Sequence, residues 1–541
     1  MSENYGLSVF GAFRSAVNLW PERPFINVLP ETADIYGIAP GETTFADAAR
    51  GVEKLAARLE AAGYGRGHRV MLLLENRPAF FLWWLALNQL GVSVVPINPD
   101  LRASELSYIT KHAEPVLAVA IPARLDGLRK VIEQTNIPLG TIAPDDTIPT
   151  PRPDGAIALR GGDQENTEAA LLYTSGTTGQ PKGCIMTNAY FLEAGDWYAN
   201  TGGLCAFETS GERMITPLPI FHMNAMAYSF MVVVKIGGCL TILDRFHPRS
   251  WWKSVRESGA TCLHYLGVMP SMLMQAEPDG NDQRHSVRFG FGAGVDPQLH
   301  AEFETRFGFP LIEAWAMTET GAGAVICANR TPRRVGESCL GTPESALEIK
   351  IVDDTDQQVV RGPGELLVRR SGAAPGRGFF AGYFKNQQAT DEAWKNGWFH
   401  TGDIVRQEDD GSIFFVDRKK NVIRRSGENI AAVEVESVLL KHPAVVSAGV
   451  TSVPDLIRGD EVFACLVVDQ PPNADLAEEI LNWSLNQIAY YKVPGYIAFV
   501  DSLPVTSTQK IQRAELKSHA SELLTKGAAF DLCRMKKRTA A

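Results

Sequence analysis

The chain lacks any pair of cysteines at ligand spacing. Its eight cysteines, Cys184, Cys205, Cys239, Cys262, Cys327, Cys339, Cys465 and Cys533, are scattered, with no CxxC and no Cys/His ligand pattern. That excludes a zinc site and a disulfide framework, and predicts buried thiols in a reducing cytosol. An excess of positive charge is missing too. Lys+Arg number 52 against 62 Asp+Glu, a net charge of −10, so neither nucleic acid nor an anionic membrane is expected as the main partner. No uninterrupted apolar run reaches membrane length. The most apolar stretch, Phe80 to Pro96, is broken by Asn88 and Gln89 and ends in proline, which predicts a core helix and strand with no integral membrane association. The first residues, MSENYGLSVFGAF, carry no charged n-region and no long apolar segment, so no signal peptide is expected and the location reads as cytoplasmic. What is present is ordinary for a folded globular protein, 45% hydrophobic and 21% charged, and 541 residues are too many for one core. Two or more domains are expected.

The stretch around which the rest is organised is Leu171 to Gly183, LLYTSGTTGQPKG. A buried-type strand, Ala169 to Tyr173, runs into six consecutive Thr, Ser and Gly residues closed by Gln180, Pro181 and Lys182. Gly176 and Gly179 let backbone amides approach a ligand closely. Thr174, Ser175, Thr177 and Thr178 carry hydroxyls that can donate to phosphate oxygens, and Lys182 adds a point charge. A flexible linker would have the same composition but seldom follows a buried strand or ends in Pro-Lys-Gly. The loop is not a Walker A, because Pro181 stands where the second glycine of that pattern belongs and Gly183 follows Lys182. YTSGTTGQPKG resembles the phosphate loop of the adenylate-forming superfamily, which includes acyl-CoA synthetases, adenylation domains of peptide synthetases and firefly luciferase.

Upstream, apolar residues at helical spacing from Thr44 to Leu59, with Thr44 and Asp47 as a capping box, precede a strand at Val70 to Leu74. A helix at Ala79 to Leu90 and a strand at Val92 to Ile97 repeat the alternation, which predicts α/β layers with mostly parallel strands. Downstream, TPLPIFHMN places Phe221-His222 before a helix-like segment, Ala225 to Ile236. A lone histidine beside aromatics is usually a packed core residue. The resemblance gives it another reading, since acyl-CoA synthetases carry a similar aromatic-His pair beside the acyl pocket, whereas amino-acid-activating relatives have Phe-Asp there. FGFGAGV, Phe289 to Val295, reads as a tight turn after a strand and fails the dinucleotide fingerprint at Val295. The resemblance implies that its Gly292 and Ala293 pack on adenine and the acyl group.

EAWAMTET, Glu313 to Thr320, supplies Thr318 and Glu319, and a carboxylate beside a triphosphate is a natural Mg²⁺ ligand. Trp315-Ala316 stands where the family commonly has Tyr-Gly, and an indole can also stack on adenine. In WFHTGD, Asp403 follows a Thr-Gly turn, where it can accept from both ribose hydroxyls or serve only as a turn residue. DRKKNVIRRSGENIAAVEVE, Asp417 to Glu436, packs five cations between Arg418 and Arg425, a pattern that ordinarily marks a solvated face. Beyond it, strands at Val445 to Val450 and Val462 to Val468 alternate with helical stretches. The final block, LPVTSTQKIQRAEL, matches the closing motif of the family, with Gln509 where a glycine usually precedes the lysine. Lys517, Lys536, Lys537 and Arg538 read as solvated tail.

The resemblance spans Thr44 to Leu516 and implies a complete functional layout. A large domain of layered, mostly parallel sheets with helices and a small β-rich region covers residues 1–416. A hinge at 417–420 joins it to a small mobile α+β domain, 421–541. ATP, Mg²⁺ and coenzyme A are the implied cofactors, with Thr174 to Gly179 and Lys182 on the β- and γ-phosphates. Thr318 is assigned to the α-phosphate region, Glu319 to Mg²⁺, and Asp403 with Arg418 to the ribose. Lys420 is the hinge position, Ser426-Gly427-Glu428-Asn429 resembles the segment lining the pantetheine tunnel, Arg424 is a further cofactor-binding candidate, and Lys510 is the catalytic lysine. Trp197, His222, Asn224, Tyr228 and Gly292 are candidates for the acyl pocket.

The implied activity is an ATP-dependent carboxylic acid:CoA ligase acting through an acyl-adenylate on a small to medium acid without an α-amino group. The RRSGENI wording and Phe221-His222 resemble the crotonobetaine/carnitine-CoA ligase-like branch. Long-chain, aromatic or steroid side-chain acids remain alternatives, as does an enzyme loading a carrier protein, which Phe221-His222 disfavours. A luciferase-like oxygenase would share the adenylation step, and a catalytically dead binding paralogue would be expected to lose Lys510, Glu319 or the loop. A homodimer is left open.

Overall fold

The computed structural model describes residues 7–152, 164–174, 180–208, 211–353, 355–359, 362–418, 423–430, 432–504, 511 and 513–537. The chain packs as two compact units. The first comprises Met1–Asn98, Ala113–Leu172 and Gly183–Val416, and the second Pro99–His112, Tyr173–Lys182 and Asp417–Ala541.

The first unit is built on three sheets. In an eight-stranded sheet the order is Ile326–Cys327, Leu311–Trp315, Phe289–Ala293, Cys262–Leu266, Arg213–Thr216, Cys239–Ile242, Pro24–Val28 and Gly41–Thr44. The strands from Leu311–Trp315 across to Pro24–Val28 run parallel, with antiparallel partners only at the two edges. A six-stranded sheet holds Gly140–Ile142, Leu117–Ala120, Arg69–Leu73, Ser93–Pro96, Glu168–Thr174 and Lys182–Thr187. Its strands from Gly140–Ile142 across to Glu168–Thr174 pair in parallel. The third sheet, antiparallel along Leu347–Val352, Gly364–Arg370 and Trp398–Gln407, is the small β-rich region. The layered α/β class read from the alternation of helix and strand is the one observed.

Local chemistry explains the elements. The helix Phe45–Ala61 starts at Thr44, whose hydroxyl accepts from the Asp47 amide at 3.0 Å. The hydroxyl proton then goes to the Asp47 carboxylate at 2.8 Å, so the pair caps through one side chain rather than reciprocally. The apolar run resolves into the helix Pro78–Gln89 and the strand Ser93–Pro96. Because Phe80, Phe81, Trp83, Trp84, Leu85 and Leu87 are all buried, this helix is apolar all round, as a helix inside a core must be. Phe81 stacks on Phe230 with centroids 4.4 Å apart. Burial of each such side chain contributes about 1.5–3 kcal/mol. Asn88, the polar break in that run, is spent on capping: it accepts from the Phe10 amide and donates to Asn188.

The second unit carries a mixed sheet ordered Glu428–Ile430, Ile423–Arg425, Gly459–Val468, Tyr496–Phe499 and Phe530–Asp531, with Val445–Asp455 paired to Gly459–Val468. Those two long strands form an antiparallel hairpin, and Gly459–Val468 also pairs in parallel with Tyr496–Phe499. The helices Ala432–Leu439 and Ala474–Leu485 bury Val435, Leu439, Ile480 and Leu481 in its core. No helix among the described residues is long and apolar enough to cross a membrane.

Candidate active site

Within the second unit, the strand entering the Thr/Ser/Gly-rich loop is held by the helix Ala103–Ala113. His112 Nδ1 lies 2.7 Å from the Tyr173 hydroxyl, and the Tyr108 hydroxyl donates to the Pro181 carbonyl at 3.1 Å. The two rims of the loop are thereby fixed by side chains one helical turn apart. Thr174 and Lys182 stand at those rims, both half-buried, while Ser175, Gly176, Thr177, Thr178 and Gly179 lie outside the described residues.

In the first unit the strand Leu311–Trp315 brings several predicted residues together. The Trp315 indole N–H donates to Asp403 Oδ2 at 2.8 Å, joining two residues 88 positions apart. Asp403 is 2% exposed, and its own amide donates to the Thr401 hydroxyl. The Thr-Gly-Asp segment is not a turn. It lies inside the strand Trp398–Gln407 as a bulge, with residues 401–403 opposite the single residue Leu366. A bulge re-aims a side chain out of the ordinary alternation, which is how Asp403 reaches the indole.

Glu319 follows in the turn after that strand, 8% exposed. Its Oε1 accepts from the Tyr383 hydroxyl at 2.8 Å and from the Cys184 thiol at 3.8 Å. Burial, reinforced by the Glu319 charge, pushes the Tyr383 phenol far above its ordinary range, so it remains a donor. Both bonds end on Oε1, and Oε2 accepts none among the described residues. The Thr318 carbonyl receives the Tyr190 hydroxyl at 2.9 Å, and the Met317 amide donates to the Thr320 hydroxyl, which sets the turn.

Phe289–Ala293 is itself a strand, not the turn after one, and it pairs parallel with Leu311–Trp315. A Cβ at Gly292 would stand 2.2 Å from the Tyr265 carbonyl oxygen, so only glycine allows this approach. The loop beyond it is gripped by Glu313, which the motif reading passed over. Its carboxylate accepts from the Gly294 amide at 3.0 Å and the Val295 amide at 2.9 Å, and the Tyr265 hydroxyl lies 3.2 Å away. Replacing Glu313 by Leu strands two backbone donors at about 1–3 kcal/mol each. The urea midpoint is expected to fall accordingly, and less for Glu313→Gln, which keeps one acceptor. An unchanged midpoint for the Leu variant would mean that other contacts hold the loop.

The segment after Phe221-His222 is not α-helical throughout. Asn224–Phe230 is a π-helix, followed by the α-helix Met231–Ile236. Such widened turns mark functional positions more often than ordinary helix does. The His222 ring packs on Phe221, whereas Asn224 reaches His264, 2.8 Å from Nδ1. His264 is fully buried, with Ser229 Oγ 2.9 Å from the same nitrogen and the Tyr198 hydroxyl 3.0 Å from Nε2. Burial pushes its pKa down to about 3, so the imidazole is neutral. Around it Trp197, Tyr198, Tyr228 and Phe291 form an aromatic wall, with Tyr198 and Phe291 4.5 Å apart and Trp197 and Tyr228 5.9 Å apart. Of the acyl-pocket candidates, Trp197, Asn224 and Tyr228 meet here, and Gly292 follows Phe291 in its strand. Tyr198, His264 and Tyr383 carried no motif signal, since their partners are far off in sequence.

In the second unit, Ile423–Arg425 and Glu428–Ile430 make a hairpin whose central residues Ser426 and Gly427 both have positive φ, as a two-residue type I′ turn requires. Arg424 is exposed and Glu428 half-buried. Arg418 ends the strand Ile413–Arg418, its side chain outside the described set, and Lys420 and Lys510 lie outside it entirely. One tail residue, Lys536, departs from its expected solvation, and so does Arg425 from the ordinary pattern of a cation run. Arg425 and Lys536 are buried rather than solvated, because both pair with the buried Glu461.

Residues 13–380 match the AMP-binding enzyme family, and residues 434–510 match the C-terminal domain of AMP-binding enzymes. A crotonobetaine/carnitine–CoA ligase from Salmonella arizonae is 28% identical over 506 residues, covering 90% of this chain and 96% of the relative. Among solved structures, a double mutant of o-succinylbenzoate CoA synthetase from Bacillus subtilis aligns with a TM-score of 0.80 at 26% identity, covering 94% of this chain and 98% of that one. A malonyl-CoA ligase in a ternary product complex with methylmalonyl-CoA and AMP aligns with a TM-score of 0.73 at 25% identity, covering 89% and 97%. With the family match running through most of the chain and the relatives covered nearly end to end, the chain belongs to the AMP-binding enzyme family, in its adenylate-forming, acyl-CoA synthetase branch.

Proposed function

We propose that this acid–CoA ligase activates a small to medium carboxylic acid without an α-amino group, a class that includes the betaine-type acids for which the Salmonella relative is named. The observation that carries this reading is the neutral His264 network behind the Trp197, Tyr228 and Phe291 wall. Aromatic faces and uncharged dipoles suit an apolar chain or a quaternary ammonium. Phe221-His222 supports the same reading, because it supplies no carboxylate for a substrate amine.

A carboxylate cannot be displaced directly by a thiol, since oxide is a hopeless leaving group. In the first step a carboxylate oxygen attacks the α-phosphorus of ATP, the bond from that phosphorus to the bridging oxygen breaks, and pyrophosphate leaves. In the second, the CoA sulfur adds to the acyl carbon, its proton passes to solvent, and the bond to AMP breaks. Catalysis of both rests on positioning and charge stabilisation. Thr174 to Gly179 and Lys182 would cradle the β- and γ-phosphates, and Thr318 the α-phosphate. Asp403, oriented by Trp315, would accept from the ribose hydroxyls together with Arg418. Lys510 would bridge the substrate carboxylate and the α-phosphate.

The residues present fit a magnesium ion at Glu319. Tyr383 and Cys184 both engage Oε1, which leaves Oε2 for a cation that usually takes only one or two protein ligands. When bound, Mg²⁺ would offset phosphate charge. Residues 1–416 would act as the ATP- and acid-binding domain and 421–541 as a lid turning about Lys420, so that the face around Arg424, Gly427 and Glu428 meets CoA in the second step. The test is pyrophosphate release against short-chain, medium-chain, aromatic, betaine-type and steroid side-chain acids, each with and without CoA. The reading expects release with a small to medium acid, turned by CoA into acyl-CoA and AMP. Release that CoA leaves unchanged would overturn the acceptor, and a response confined to long-chain, aromatic or steroid acids would overturn the substrate class.

A further inference from the structure

Glu461 is fully buried and holds two buried cations. Arg425 Nε lies 2.9 and 2.8 Å from its two oxygens, and Lys536 Nζ is bonded to Oε1. The Arg425 side chain is 4% exposed and that of Lys536 0%. A third, half-buried cation, Arg458, stands 3.3 Å from Oε2. Positive charge therefore exceeds negative in a dry place. Burial and Arg425 push the Lys536 ammonium down to about 7 against the pull of Glu461. Burial alone would raise the Glu461 carboxyl, but Lys536 and Arg425 outweigh it and hold it below its usual range. A tail residue of similar volume without charge would fill the same space with no desolvation cost, so stability alone does not account for a buried lysine here.

What the cluster touches suggests its use. Arg425 is the last strand residue before the Ser426-Gly427 turn, and it pairs with Gly459 across the sheet. The Ser426 amide donates to the Arg458 carbonyl at 2.9 Å. The tail that carries Lys536 is itself fixed, since Phe530–Asp531 pairs with Tyr496 and Ile497 and the Leu532 amide donates to the Gly495 carbonyl at 2.8 Å. Lys536 and Arg425 thus share one carboxylate, and the turn follows Arg425 directly.

We propose that Lys536 is a positioning residue for thioester formation: through Glu461 it fixes Arg425 and with it the Ser426-Gly427 turn. The proposal rests on the reading that this turn faces the incoming thiol. Its role is confined to the second half-reaction, because the turn is needed only once the acyl-adenylate exists.

The test uses the full chain, the acid that releases most pyrophosphate in the panel above, and its chemically prepared acyl-adenylate. Lys536→Met is expected to slow acyl-CoA formation from the adenylate about tenfold, the scale of a small misplacement, and to raise the KM for CoA. Pyrophosphate release stays within about twofold of the parent on the same argument, since the misplaced turn takes no part in that step. Lys536→Arg restores most of the loss. Equal slowing of both steps, or an unaffected thioester step, overturns the proposal. If the Met variant does not fold, Lys536→Gln is measured in its place against the same outcomes. Gly427→Leu separates the two levels. If it leaves thioester formation intact, the placement of the turn at the thiol is wrong. If it slows that step while Lys536→Met does not, only the role of Lys536 falls.

Discussion

Lys510→Ala is expected to abolish pyrophosphate release while acyl-CoA formation from supplied acyl-adenylate continues within a few fold of the parent rate. In the first step negative charge from the incoming carboxylate and from the α-phosphate converges on one pentacoordinate phosphorus. A single ammonium between them stabilises charge that exists only in the transition state, so its loss appears in kcat rather than in binding. Removal of one such preorganised donor typically costs about 10²–10³-fold, and a full cation in place of a neutral donor sets the expectation at the upper end or beyond. The second step builds no charge between carboxylate and phosphate, and the lid would by then have withdrawn the lysine. Pyrophosphate release in a single turnover, beside thioester formation from the same acyl-adenylate, checks both halves. Equal loss in the two would sink the assignment of one lysine to one step.

The second large effect is expected at Asp403. Its carboxylate is the acceptor for the Trp315 indole, and it sits on a bulge that no ordinary strand alternation would produce. Asp403→Ala would remove the proposed acceptor for two ribose hydroxyls and leave a buried indole N–H without its partner. Hydrogen bonds to a charged group contribute about 1.5–3 kcal/mol each, so two of them predict a fall in kcat/KM for ATP of roughly 10²–10⁴-fold, expressed mainly in KM. Trp315→Phe keeps the carboxylate and loses only its orientation, for which about a three- to tenfold rise in KM is expected from one net hydrogen bond. Steady-state kinetics with varied ATP and saturating acid distinguish the two. An Asp403→Ala enzyme with unchanged KM for ATP would mean that the ribose is held elsewhere.

The contrast between these positions explains how far the sequence could be read. Lys510, Glu319, Asp403 and the loop from Thr174 stand in short blocks whose wording matches the motifs of the family, so local text nominates them as candidates. Helices and parallel strands were legible for a related reason. Side-chain period and cap chemistry are properties of adjacent residues, as at Thr44 and in the all-apolar helix Pro78–Gln89. Glu313 was within reach as well, two residues before Trp315, but as a lone acid on a strand it could as well have been solvated.

Other features depended on distance along the chain. Tyr383 reaches Glu319 across 64 residues, Trp315 reaches Asp403 across 88, and Lys536 reaches Glu461 across 75. Whether a charged side chain lies in solvent or in a core is decided by what the fold brings against it, and that is why Lys536 reads as solvated tail when it is buried. The bulge at Asp403 and the π-helix at Asn224 likewise follow from pairing registers and packing that no local pattern encodes. The sequence by itself determined the family, the layered α/β class and the candidate residues for the nucleotide, because those are written in contiguous motifs and short periods. Only the tertiary structure decided which side chains orient them, since an orienting contact is a meeting of residues whose separation in sequence carries no chemical mark.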